Sequence, residues 1–186
     1  MVDLIFKPEL KMSETDTHIF FLNGPFSQWY PCEFKQQLET GGDNLTFNCA
    51  EQYMMASKAH LFDDLDSLNA IMAVKQVPND WRRAPEKQKA LGRQVAGFRP
   101  GMWDAIAREV VYLGNLAKFA QNDDLRDLIL ATGDKILVEG AHYDPIWGVG
   151  LAWDDPKIAD PANWKGTNWL GETLMKVRYE IRKTSQ

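Results

Sequence analysis

The sequence predicts an α+β fold, mainly α-helical, in a single domain with a small antiparallel β element. Apolar residues recur at helical spacing over most of the chain beyond Ala50. Short β-branched or aromatic runs, each bounded by turn residues, account for the strands. A chain of 186 residues with 45% hydrophobic content supports one sizeable core rather than two.

The elements follow in order. Residues 1–16 read as a polar N-terminal extension, and residues 17–183 as the domain proper. Thr17 to Leu22, THIFFL, is a strand closed by Asn23, Gly24 and Pro25. EFKQQL and NLTF flank ETGGD, whose paired glycines suit a hairpin loop. A helix over Ala50 to Phe62 starts at an Asn48 cap. Leu65, Leu68, Met72 and Lys75 mark a second helix that stops near Pro78, and Pro85 sits in the first turn of a third that runs to about Ala96. Trp103, Ile106, Ala107, Val110, Leu113 and Ala117 form the stripe of a longer helix. Asp124 to Thr132 is helical, Ile136 to Gly140 is a strand, and Leu170, Leu174, Val177 and Ile181 mark the last helix.

Composition narrows function. A net charge of −5 argues against a nonspecific nucleic-acid binder, which needs a phosphate-neutralising surface, and leaves room for one local cationic pocket. Cys32 and Cys49 make no disulfide framework, so a reducing compartment is the simpler reading. The start of the chain lacks a basic n-region and apolar run, and no stretch nears the ~20 apolar residues of a span. Cytoplasmic residence is expected. His18, His60 and His142 have no metal-ligand spacing with each other or with the cysteines, so neither metal nor cofactor is expected.

Four segments carry candidate chemistry. In NCAEQYMMASKAHLF, Glu51, Met55, Lys58 and Phe62 fall on one helical stripe, with Glu51 and Lys58 about 10 Å apart along the axis. An acid and an amine on an apolar face are a catalytic pairing. The competing reading makes Glu51 the partner of Asn48 in a capping box and lets Lys58 snorkel to water. In YDPIWGVGL, Asp144 can orient a water or sugar hydroxyl, Trp147 offers a flat face and Gly148 admits a ligand to the backbone; an Asp-Pro turn and glycine loop explain it equally. In GTNWLGETLMKVR, Asn168 is a natural N-cap of a helix whose start can receive phosphate, and Gly171 points to close packing or ligand approach. In LGRQVAGFRPGMWDAI, Arg93 and Arg99 suit phosphate and Trp103 suits a base, although scattered arginines are usually solvated.

FSQWYPCEF, EQYMMASKAHLF, LGRQV with FRPGMWD, LAKFAQN, LILATGDKILVE, DPIWGVG and GTNWLGETLMKVR occur in one order from His18 to Arg178. Together they resemble the NADAR/YbiA-like family. The resemblance implies a mainly helical fold and N-glycosidase activity. It implies one of two substrate classes: phosphorylated ribosyl-aminopyrimidines of riboflavin synthesis, or ADP-ribose on guanine bases of nucleic acid. By position it assigns Lys58 and Glu51 to catalysis, with Lys58 trapping the sugar C1′ as a Schiff base and Glu51 moving a proton. Ser27, Gln28, Arg93, Trp103, Asp144, Trp147, Gly148 and Asn168 are placed around the substrate. Gln28 stands where the family usually has asparagine, and Val149 where some members have aspartate. The alternative is a module that binds ADP-ribose or a related nucleotide without cleaving it.

Overall fold

The structure, a computed structural model, describes residues 9–184. In chain order its elements are β1 (Met12–Glu14), β2 (His18–Phe21), β3 (Phe34–Gln36), β4 (Leu45–Phe47), α1 (Ala50–Leu61), α2 (Leu65–Met72), α3 (Arg83–Gly92), α4 (Pro100–Gln121), α5 (Asp123–Ala131), β5 (Ile136–Glu139) and α6 (Trp169–Thr184). Two short 3-10 turns, Pro156–Ala159 and Pro161–Asn163, precede α6. The α+β, mainly helical class predicted from the sequence is the one observed. The chain forms two compact units, Gln28–Asn122 and Glu9–Ser27 with the chain from Asp123 onward.

In the first unit α1 packs against α2, α3 and α4. Its residues from Ala50 to Ser57 are all buried, because the helix is apolar or small on most sides. Gly92 is what lets α3 approach: a Cβ there would collide with the Met55 side chain. β3 and β4 pair antiparallel with Phe34 opposite Phe47, and the rings of Phe34, Phe47 and Tyr53 pack edge-on or tilted at 5.1–6.3 Å. This is the hairpin the paired glycines announce.

The second unit holds a three-stranded sheet in the order β1-β2-β5. β2 pairs antiparallel with β1 and parallel with β5, Phe20 lying opposite Val138. A parallel partner requires a long crossover, and here the chain from Leu22 to Lys135 supplies it. Phe20, Val138, Val149, Leu151 and Ile158 form one buried cluster beside Trp164. α6 lies against β5, with Leu170 and Leu174 fully buried.

The stretch read as an extension divides. Residues 1–8 lie outside the described residues, whereas Met12–Glu14 form an edge strand. Asn23 holds this segment: its Oδ1 accepts the Lys11 N–H at 2.7 Å and its Nδ2 donates to the Glu9 carbonyl at 2.9 Å. A strand held by backbone pairing and one buried amide needs little apolar sequence of its own. No helix among the described residues is long and apolar enough to cross a membrane.

Candidate functional site

The first unit brings Glu51, Lys58, Arg93 and Trp103 together around one amine. α1 carries Glu51, buried at 4% exposure, and Lys58, half-buried. Lys58 Nζ sits over the Phe98 ring at 4.0 Å from its centroid and 5.9 Å from that of Trp103. Burial holds the Lys58 pKa below the ordinary lysine range; the nearby Arg93 guanidinium adds to this, and the Glu51 carboxylate opposes it. The outcome is an amine that gives up its proton more readily than a surface lysine.

The capping reading of this helix start is corrected. The N-cap position is Cys49, extended and without a side-chain cap, and the Asn48 amide instead donates to the Val74 carbonyl at 2.8 Å. Asn48 Oδ1 accepts from Gln88 and Gln76, and the Asn48 N–H is accepted by Gln52 Oε1 at 2.8 Å. Gln52, one position beyond the capping-box place of Glu51, makes the reach-back. A buried amide network took the residue that local spacing assigned to the helix.

Gln28 lies beside Glu51, whose N–H donates to the Gln28 carbonyl at 3.0 Å. Its side chain turns inward: Oε1 accepts from Asn115 Nδ2 at 2.7 Å, and Nε2 lies 3.6 Å from the Met54 sulfur. Trp103 is only 7% exposed, so it walls the amine and offers little open face to a base. Arg93 is exposed at the C-cap of α3, and Arg99 occupies the N-cap position of α4.

The remaining sequence-selected residues lie in the second unit. Ser27 is buried in a turn, its N–H donating to the Gly24 carbonyl. Asp144 Oδ1 accepts the N–H groups of Ile146 at 3.0 Å and Trp147 at 2.9 Å, which is the Asp-Pro turn. Trp147 meets Trp169 edge-on at 5.8 Å. Gly148 is buried; its carbonyl accepts the Asn168 N–H, and a Cβ on it would press on the Glu139 carbonyl at 2.9 Å.

Asn168 is not a side-chain cap, and this corrects its sequence reading. Its φ is +55°, and its amide spans two strand positions: Oδ1 accepts the Glu139 N–H at 3.0 Å while Nδ2 donates to the Leu137 carbonyl at 2.9 Å. Gly171 belongs to the same joint, since a Cβ there would strike the Leu137 carbonyl. Close packing, not ligand approach, explains that glycine. Arg178 likewise serves structure, donating to Thr132 Oγ1 and the Lys135 carbonyl at 2.8 Å.

Sequence reasoning gave Phe98 no role and left open whether Lys118 points inward. Phe98 is the open ring, 39% exposed, over the Lys58 amine. Lys118 is fully buried, and burial lowers its pKa to about 8 against the opposing influence of Cys32 and Cys49. Its position on the Val111 stripe of α4, seven residues on, was the available signal. Cys49 is buried with its thiol against Gln88 Oε1 at 3.1 Å and its pKa pushed up by burial, so it is structural.

The NADAR domain model matches residues 19–182. The chain belongs to the NADAR family. An N-glycosidase of Acanthamoeba polyphaga mimivirus is 39% identical over 90% of this chain and 98% of its own. N-glycosidase YbiA of Shigella boydii is 30% identical over 75% of this chain and 73% of its own. The NMR structure of the E. coli protein YbiA superposes with a TM-score of 0.69 at 27% identity, covering 94% of this chain and 90% of that one. This NADAR chain is thus an N-glycosyl hydrolase by kinship.

Proposed function

We propose that the chain hydrolyses the N-glycosidic bond of a phosphorylated ribosyl compound through a Schiff base on Lys58. The observation that carries this reading is the Lys58 amine, half-buried between Phe98 and Trp103, with its pKa lowered by burial and Arg93. A neutral amine is the nucleophile such a step needs.

In the proposed reaction Lys58 Nζ attacks the sugar C1′, the bond from C1′ to the base nitrogen breaks, and that nitrogen takes a proton relayed by Glu51. The Nζ lone pair then forms a double bond to C1′ as the C1′–O4′ bond breaks and O4′ takes the proton that Nζ gives up, which opens the sugar ring as the Schiff base. Water adds to C1′, the bond to Nζ breaks, and the free sugar and the lysine amine are restored. The Arg93 guanidinium acts electrostatically on the amine, and it suits an anionic substrate.

The substrate is a ribosyl-aminopyrimidine phosphate or ADP-ribose on guanine. A chloroplastic riboflavin biosynthesis protein of Zea mays, 28% identical over 95% of this chain but only 27% of its own length, supports the first. Base release should be followed chromatographically from both substrates, with wild type, Lys58→Ala and Lys58→Arg. Loss of release in both variants, with folding intact, is expected. Binding without cleavage by the wild type would instead favour a nucleotide-binding module.

A further inference from the structure

Phe98 opens the FRPGMWD segment, yet the sequence assigned it no role in the site. It lies between α3 and α4, and its ring is 39% exposed although a phenyl group gains from burial. One face is occupied by Lys58 Nζ at 4.0 Å, and Phe62, the C-cap residue of α1, meets the ring edge-on at 5.5 Å and 72°. The segment is fixed on one side of the ring: the Ala96 N–H donates to Asp64 Oδ2 at 2.8 Å. Gly97 next to it has a φ of +67° with open space around its Cβ position, so the ring is carried on a backbone conformation that few residues adopt.

We propose that Phe98 is a specificity-determining residue whose ring face is handed from the Lys58 amine to the planar base of the substrate when substrate binds. The proposal rests on the Lys58 reading above. Every base has a π-face that stacks on an aromatic ring, and Trp103, at 7% exposure, has little face to give. A base seated on the Phe98 face pushes Nζ toward the ring edge, which is where the C1′ attached to that base lies. The same exchange changes the amine chemically. In the free protein the ring quadrupole favours the ammonium form; once the base takes the ring, that support is gone and the proton leaves more easily. Binding of the correct base and activation of the nucleophile are thereby one event.

The charged groups that act on the amine are Glu51 from its own helix and Arg93 from the end of α3. α4 contributes the uncharged Trp103, and the Asp64 carboxylate is engaged by the Ala96 and Ser67 N–H groups. These charges stay when Phe98 is replaced, and leucine keeps an apolar group over the amine so that its burial is retained; a downward shift in the Lys58 titration of Phe98→Leu then reports the lost ring face.

Three measurements on Phe98→Leu and Phe98→Tyr test this. The Lys58 pKa is read from the pH dependence of its reductive methylation, KM from base release, and sugar reactivity from borohydride trapping of free ribose 5-phosphate. Phe98→Leu is expected to lower the Lys58 pKa and raise KM by about tenfold or more, while the base-free sugar still forms an adduct on Lys58; Phe98→Tyr stays close to wild type. An unchanged Lys58 pKa together with an unchanged KM in Phe98→Leu overturns the proposal. Failure of the Lys58 reading itself has a different signature, full turnover by Lys58→Ala, so the two are distinguishable.

Discussion

Glu51 and Lys58 stand on one helix seven positions apart, and the buried carboxylate of the first raises the proton affinity of the half-buried amine of the second. Two turns of helix separate them, so this is not a surface ion pair of the i,i+4 kind. Arg93 acts on the same amine with the opposite sign.

The pH profile of turnover follows from these signs. A nucleophilic lysine gives a rate that rises with pH as it loses its proton. Arg93→Met removes the charge that helps lower the Lys58 pKa, so the rising limb moves to higher pH. Removing the negative charge in Glu51→Gln moves the same limb to lower pH, with a lower maximal rate because the proton relay is lost. Rate profiles of kcat for the two variants check both directions.

Asn168 predicts a stability loss away from the amine. Asn168→Ala leaves the Glu139 N–H and Leu137 carbonyl without their amide partner and puts alanine at a positive φ. About 2–4 kcal/mol of stability should be lost. Asn168→Gly keeps the backbone conformation and loses only the two hydrogen bonds, so denaturant unfolding should place it between wild type and Asn168→Ala.

Lys118 carries an alkaline signature. Its folded pKa of about 8 lies below the ordinary lysine value of 10.5, so between these values the unfolded chain binds more protons and the folded state gains stability as pH rises. Below about pH 8 both states are protonated and the full cost of burying the charge is present. Lys118→Met should therefore abolish this rise, so that wild type gains stability relative to the variant between pH 7 and pH 10. Urea titrations at pH 7 and pH 10 measure the difference.

Much of this was legible in the sequence because it is periodic. Helical spacing put Glu51 and Lys58 on one stripe, and turn residues bounded β2, β5 and the β3–β4 hairpin. What was not legible depends on partners distant in sequence. Asn48 has cap spacing, yet Gln76 and Gln88 draw its side chain into a network. Asn168 looks like a cap, but its partners are strand residues about thirty positions earlier. Met12–Glu14 became a strand through backbone pairing, which leaves little trace in side-chain pattern. Phe98 belongs to a connecting segment, where no period says which way a ring points.

The most direct test is borohydride reduction during turnover of the ribosyl-aminopyrimidine phosphate, followed by peptide mass mapping of the enzyme. The Lys58 peptide should carry the mass of the reduced sugar phosphate in the wild type, and Lys58→Ala should show neither adduct nor base release. Base release by Lys58→Ala at the wild-type rate, or turnover by the wild type with no adduct on Lys58, would contradict a covalent role for this amine.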